Sequence, residues 1–370
     1  MNRIIHVGTS TPSVESHVPT LCTIVPPHVL DRLASAEDAD IAQAARRTLA
    51  RDAALRAARR AGVAPALPPV PGSSRAAAAE PRRTIYDAEH RTALPGTRVR
   101  GEGEPPLRDA TVNRAYAGLG ATHDLLCSVY GRDSIDGAGL PLNATVHYDR
   151  DYDNAFWNGG QMVFGDGDGR IFLDFTLALD VIAHELAHGL TQYTADLAYQ
   201  GQSGALNESV SDVFGSLVKQ RALGQSAEQA DWLVGAGILA PDVSGEGLRS
   251  LKAPGTAYDD PALGKDPQPA RMADYVRTSS DNGGVHINSG IPNHAFYLFA
   301  TALGGPAWER AGQVWYDTLT GGELAVDAEF ADFSRLTVKA ARARFGPGGA
   351  EDEALVKAWS TVGLPAEEDD

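Results

Sequence analysis

The chain has 370 residues, 43% hydrophobic and 22% charged, enough to bury the cores of two or three domains. No apolar run approaches the roughly 18 residues a membrane-spanning helix needs, so no such span is expected. The net charge of −16 is unevenly held: residues 1–83 carry 11 Lys and Arg against 7 Asp and Glu, the remainder 21 against 41. An acidic body argues against a nucleic-acid partner, and the basic first segment is expected to lie against it.

Taken in chain order, Met1–Thr9 holds one cation, Arg3, but no apolar stretch of signal length. No ordinary secretory signal is read there, and a cytoplasmic location or export by a non-standard route is expected. Cys22 and Cys127 provide no disulfide framework. Cys22 could cap a metal in a latent form, but no flanking motif supports that; Cys127, in Leu125-Leu126-Cys127-Ser128-Val129, reads as a buried inert thiol. In Val25-Pro26-Pro27-His28-Val29-Leu30, two prolines either fix an extended segment suited to a cleft or form a turn into a helix at Leu30. Residues 39–61 predict an Ala- and Arg-rich helix with a modest stripe of Ile41, Leu49 and Leu55, a surface or partner helix. The Pro-, Gly-, Ser- and Ala-rich stretch from Ala64 to Arg83 predicts an exposed, cleavable linker.

Beyond it, Thr84-Ile85-Tyr86 and residues 144–148 predict strands flanking a helix over residues 110–129. Gly165-Asp166-Gly167-Asp168-Gly169 has the look of a calcium loop but lacks the later Glu of an EF-hand, so a hairpin turn is expected. A central helix is predicted at about residues 180–193 and a second over 204–220, where Leu206, Val210, Val213, Phe214, Leu217 and Val218 recur at helical spacing. The rest is mostly helical, ending with 330–345 and 351–362. A β-rich lobe, a central helix and a helical lobe result, with a cleft between the lobes.

The central helix carries His184-Glu185-Leu186-Ala187-His188. Residues four apart share one helix face, so His184 and His188 can hold one cation, with Glu185 about 100° around the helix, beside a water on that cation. Twenty residues after His188 stands Glu208, which would complete a His₂Glu set with the fourth position open. Asp212, one turn further on the same side, could hold the outer nitrogen of a ligand histidine.

The segment His184–Gly215 resembles the zinc-binding core of the thermolysin-like metallopeptidases. The likeness continues in Asn154-Ala155-Phe156-Trp157 upstream and in residues 281–290 downstream, and runs from about Thr84 to Leu364. A metzincin would need Gly and His where Thr191 and Thr194 stand, and no H-x-x-E-H occurs. The resemblance implies an α+β fold: a β-rich N-terminal lobe (84–195) and a helical C-terminal lobe (196–370) bridged by the zinc helix. Residues 1–83 would then be a propeptide and linker. Val25-Pro26-Pro27-His28 resembles a proline motif in propeptides of the protealysin-like subgroup, so the basic head, linker and body read as a zymogen whose propeptide is an intramolecular inhibitor.

By resemblance, zinc is held by His184, His188 and Glu208, and Glu185 is the general base. Tyr199 and His286 stabilise the oxyanion, Asp281 orients His286, and Asp212 and Asn207 support the two zinc histidines. Asn154 and the backbone of Ala155 would bind the substrate main chain with Trp157 nearby, and Arg249 would grip a substrate carbonyl next to the cut. Phe172, Phe175, Val181, Val234, Ile238 and Leu248 would form the pocket for the side chain after the cut, implying cleavage before Leu, Phe, Ile or Val. Of the acids that hold paired calcium ions in thermolysin, Asp180 and Asp231 match, but Lys219, Leu233 and Ala236 replace the others, so that calcium site is expected to be lost. Peptides and proteins are the expected substrates of a monomer. The rival reading, a non-catalytic metal-binding descendant, leaves Glu185, Tyr199 and His286 without purpose; a small-amide hydrolase leaves Asn154 and Arg249 so.

Overall fold

The computed structural model describes residues 22–61 and 80–364; the expectations for Met1–Thr9 and most of the linker lie outside them. Three layers build the molecule: a small head, a six-stranded sheet backed by helices, and a helical lobe. Two helices form the head, α1 (Pro27–Leu33) and α2 (Ala39–Arg60). Pro27 opens α1, where its missing N–H costs nothing. Ahead of it, Cys22–Thr23 form a short strand, β1. Both readings of the double proline thus hold in part: an extended segment leads directly into a helix.

The sheet runs in the order β1-β5-β6-β4-β2-β3, with β2 at Arg83–Asp87, β3 at Thr97–Gly101, β4 at Leu142–Val146, β5 at Ala155–Trp157 and β6 at Met162–Phe164. Its edge strand β1 belongs to the head and pairs antiparallel with β5, Cys22 opposite Trp157 and Thr23 opposite Phe156. The head therefore docks by strand addition, satisfying an edge that would otherwise be open. Behind the sheet lies α3 (Ala110–Asp124), capped by Asp109, whose carboxylate accepts from the N–H groups of Thr111 and Val112. The predicted helix does not run regularly to Val129: Leu125–Val129 form a wider turn, and Cys127 is half-buried rather than buried.

Helix α4 (Leu179–Gln192) is buried on all sides from Asp180 to Thr191, and α5 (Gly201–Leu223) packs along it. All six apolar residues predicted for α5 are buried, and Gly224 ends it in a left-handed cap. A Cβ on Gly215 would lie 2.6 Å from the Asp180 carbonyl oxygen and 3.4 Å from His184 Cβ, so glycine sets how closely the two helices approach. Helices α6 (Asp281–Asn288), α7 (Gly290–Leu303), α8 (Arg310–Thr320), α9 (Phe330–Phe345) and α10 (Ala350–Thr361) complete the helical lobe. Among the described residues no helix is long and apolar enough to cross a membrane.

Two expectations are sharpened by the structure. Ile41, Leu49 and Leu55 are half-buried and pack against the apolar cores, as a partner helix would, while the fully buried positions of α2 are Ala42, Ala44, Ala45, Thr48 and Asp52. Small side chains let the helix approach, while Thr48 accepts from the Asp153 N–H and Asp52 from the Tyr152 hydroxyl. The segment 165–169 is a loop rather than a strand-to-strand hairpin. Asp168 Oδ1 accepts from the N–H groups of Arg170, Ile171 and Phe172, which holds the turn.

As expected, cations of the head meet acids of the body: Arg47 lies 2.5 Å from Asp151, and Arg51 3.1 Å from Asp149. Arg170 answers in reverse, 2.6 Å from Asp38 of the head. All of these pairs are solvent-accessible, so they steer the docking more than they hold it.

Candidate active site

One turn of α4 presents His184 and His188 to the same point, their Nε2 atoms 3.0 Å apart. From α5, the two Glu208 oxygens each lie 3.5 Å from one of these nitrogens. All three side chains are buried, and Glu208 Oε2 has no hydrogen-bond partner. A tetrahedral zinc with bonds of about 2.0–2.2 Å spaces its donors about 3.3–3.6 Å apart. Both carboxylate–imidazole spacings match, the two imidazole nitrogens are slightly closer, and the donor set of two imidazoles and one carboxylate fits zinc.

The outer nitrogens are also engaged, which fixes which nitrogen faces inward. His184 Nδ1 lies 2.8 Å from Asp212 Oδ1, and His188 Nδ1 donates to Asn207 Oδ1 at 2.8 Å. Sequence reasoning missed two supports: Ser211, 3.1 Å from His188 Nδ1, and Asn293 on α7, whose Nδ2 donates to Asp212 Oδ2 at 2.8 Å. Asp212 also faces Arg249, whose Nε donates to it at 2.8 Å. Burial works to raise the Asp212 carboxyl, but Arg249 and His184 outweigh it and hold it well below the carboxylate range.

Glu185 is fully buried; its Oε2 accepts from the Trp157 N–H at 2.9 Å, and Oε1 has no partner. Burial, followed by the charge of Glu208, pushes its carboxyl well above the ordinary value. A carboxyl so poised suits proton transfer near neutrality.

On the other side of the metal residues stand Tyr199 and His286. The Tyr199 hydroxyl donates to Glu208 and lies 3.2 Å from His286 Nε2. Left-handed backbone from Asp281 to Gly284 folds Asp281 back on its own helix. Its carboxylate accepts from the His286 N–H at 2.9 Å and from His286 Nδ1 at 2.6 Å. Burial lowers the His286 pKa, but Asp281 and Glu208 prevail and raise it to about 9. His286 is thus a charged donor at neutral pH.

The head supplies what lies in this cleft. His286 Nε2 donates to the Thr23 carbonyl at 2.9 Å. Ile24 N–H donates to the Ala155 carbonyl at 3.1 Å, and its carbonyl accepts from Arg249 Nη1 at 2.9 Å. Val25 N–H donates to Asn154 Oδ1 at 2.9 Å. Asn154 is itself held by Asp52 of α2, which accepts from its Nδ2 at 3.0 Å, a support the sequence did not signal. Trp157 meets the head through its backbone register, while its indole N–H donates to Gln192. Phe172, Phe175, Val181, Val234, Ile238 and Leu248 are all buried, within the main apolar core that also includes Ile24. The structure thus brings together every residue named from the sequence for the metal and for the main-chain contacts.

The calcium-site residues have a different arrangement. Lys219 Nζ lies 2.9 Å from the buried Asp180 and 2.8 Å from Asp231, and also donates to the Leu233 carbonyl. An ammonium occupies the middle of this acid pair.

Comparison with known proteins agrees with the geometry. The family model "Thermolysin metallopeptidase, catalytic domain" matches residues 76–192, and "Thermolysin metallopeptidase, alpha-helical domain" matches residues 195–364. An extracellular metalloprotease of Pectobacterium carotovorum subsp. carotovorum is 51% identical over 344 residues, 93% of this chain and 96% of its own length. Protease PrtS of Photorhabdus sp. (strain Az29) is 53% identical over 290 residues, 78% of each chain. The solved precursor of protealysin, a metalloproteinase from Serratia proteamaculans, superposes with a TM-score of 0.84 at 51% identity, covering 93% of this chain and 99% of that one.

Proposed function

The chain belongs to the thermolysin family of zinc metalloendopeptidases, and we propose that it is made as a precursor whose own head blocks its substrate cleft. The observation that carries this reading is the run Thr23-Ile24-Val25, bound through four main-chain hydrogen bonds to His286, Ala155, Arg249 and Asn154. Those bonds need no particular side chain, so any extended peptide can make them once the head has left.

His184, His188 and Glu208 would hold the zinc, which when bound acidifies a water and polarises the carbonyl to be attacked. Glu185 takes the proton released in the attack and passes it to the leaving amine. His286, charged by virtue of Asp281, and the Tyr199 hydroxyl face the developing oxyanion. Asp212 and Asn207 keep the two histidines in the required tautomer. Arg249 holds the carbonyl of the residue after the cut, and the buried apolar side chains of Phe172, Phe175, Val181, Val234, Ile238 and Leu248 would favour cleavage before Leu, Phe, Ile or Val. The pairing of Lys219 with Asp180 and Asp231 supports loss of the paired calcium site.

Intact-mass spectrometry of the purified wild type beside Glu185→Ala tests the activity and the prosegment together. Self-cleavage within residues 72–84 removes about 8 kDa, from ~80 residues, only in the wild type. Equal masses after prolonged incubation would sink the precursor reading.

A further inference from the structure

We propose that Cys22 is the fourth ligand of the zinc in the full-length chain; the assignment rests on the metallopeptidase reading above. Cys22 opens β1, directly before the peptide held in the cleft, and is 6% exposed. Its Sγ, a ring nitrogen of His188 and a carboxylate oxygen of Glu208 all lie within 4.8 Å of one another. Independently of the cysteine, Glu208 Oε2 is buried beside them without a hydrogen-bond partner, which marks the point as one built for a cation. A ligated sulfur, with a bond of about 2.3 Å, would sit about 3.6 Å from the other donors. Toward His188 and Glu208 the sulfur therefore has at most about 1 Å to move, within reach of a χ1 adjustment of a short side chain.

The register gives this contact a purpose. The Thr23–Ile24 peptide lies among the groups that bind substrate, its carbonyl on His286 and its flanks on Ala155 and Arg249. A peptide so placed is a substrate unless the position of the attacking water is taken. Sulfur at the fourth position takes it. On ligation the S–H bond breaks and its proton leaves to solvent; the sulfur lone pair forms the bond to the dication as a water departs. Nothing is oxidised or reduced, and the head stays an inhibitor.

The test uses the full-length Glu185→Gln chain, which cannot cut itself, loaded with one equivalent of zinc and measured by zinc X-ray absorption fine structure. One sulfur neighbour at about 2.3 Å beside nitrogen and oxygen at about 2.0–2.2 Å is expected. Adding Cys22→Ala or Cys22→Ser should remove the sulfur shell and leave zinc stoichiometry unchanged. A shell of nitrogen and oxygen alone in the parent, or sulfur persisting in Cys22→Ala, would overturn the assignment while leaving the metallopeptidase reading intact. Failure of all three chains to bind zinc would overturn the metal centre and the assignment with it.

Discussion

Arg249 Nη1 donates to the carbonyl oxygen of Ile24 at 2.9 Å, joining two residues that stand 225 positions apart. The same guanidinium grips the buried carboxylate of Asp212, which faces His184. One side chain therefore serves both the bound main chain and the support of a metal ligand.

Arg249→Met should raise KM and lower kcat on peptides, because the carbonyl after the cut loses its donor. It also leaves Asp212 as a buried, unpaired charge, so the unfolding free energy should fall by about 3–5 kcal/mol. Steady-state kinetics and denaturant titration of the variant measure both effects. Kinetics unchanged from wild type would remove Arg249 from the binding site.

Calcium should not raise the melting temperature of the wild type. Lys219 supplies the positive charge between Asp180 and Asp231, and a dication cannot enter without displacing it. Lys219→Ala should cost on the order of 3 kcal/mol by stranding the buried Asp180. Differential scanning fluorimetry across a calcium series checks the first point. A large saturable shift, abolished by substituting Asp180 and Asp231, would contradict it.

Gly215→Ala should loosen the metal site from a distance. Its Cβ would meet the Asp180 carbonyl at 2.6 Å, forcing α4 and α5 apart and moving Glu208 relative to His184. Overpacking of this kind costs about 1–3 kcal/mol. Zinc affinity, read by competition with a chelator, should weaken alongside stability; tight zinc binding in a destabilised variant would show that the helix spacing does not set the ligand geometry.

His147 should give the fold a dependence on alkaline pH. Its ring bridges Asp166 and Asp109, each at 2.9 Å, with His90 3.5 Å from Asp166. The hydrogen bond His147 donates to Asp166 leads in raising the His147 pKa to about 9; burial opposes it, and Asp109 adds to the rise. Between about pH 6.5 and that value the folded chain holds a proton the unfolded chain has released. The stabilisation is thus full below about pH 6.5 and is lost as pH rises through 9. Melting temperatures of the Glu185→Gln chain should decline over that window, and His147→Gln should flatten the decline. Parallel profiles for the two chains would rule out this origin.

The order and nature of the body's elements were legible because each carries a local signal. The apolar period of α5 lies within that helix, and His184, Glu185 and His188 share a single turn of α4 whose geometry any sequence with that spacing must obey. Glu208 and Asp212 followed from what a histidine pair on one helix face needs, a third ligand and a support one turn further on; His286 and Asn154 were reachable only because their surrounding blocks resemble a known family. Nothing local marks Asn293 or Ser211 as supports of the metal histidines, since their roles arise from the packing of α5 and α7.

The head shows the division most clearly. Sequence alone determined that it is basic, proline-bearing and helical, properties of composition and short-range sterics. It could not determine that Asp52 and Thr48, rather than Ile41 and Leu49, are among the fully buried positions of α2, because burial there follows from hydrogen bonds to Tyr152, Asn154 and Asp153 about a hundred residues away. Nor could it choose a fate for Cys22, a lone thiol without a motif. Only the pairing of β1 with β5 brings that sulfur beside His188 and Glu208, because register along a sheet edge is a property of two strands and of neither one alone.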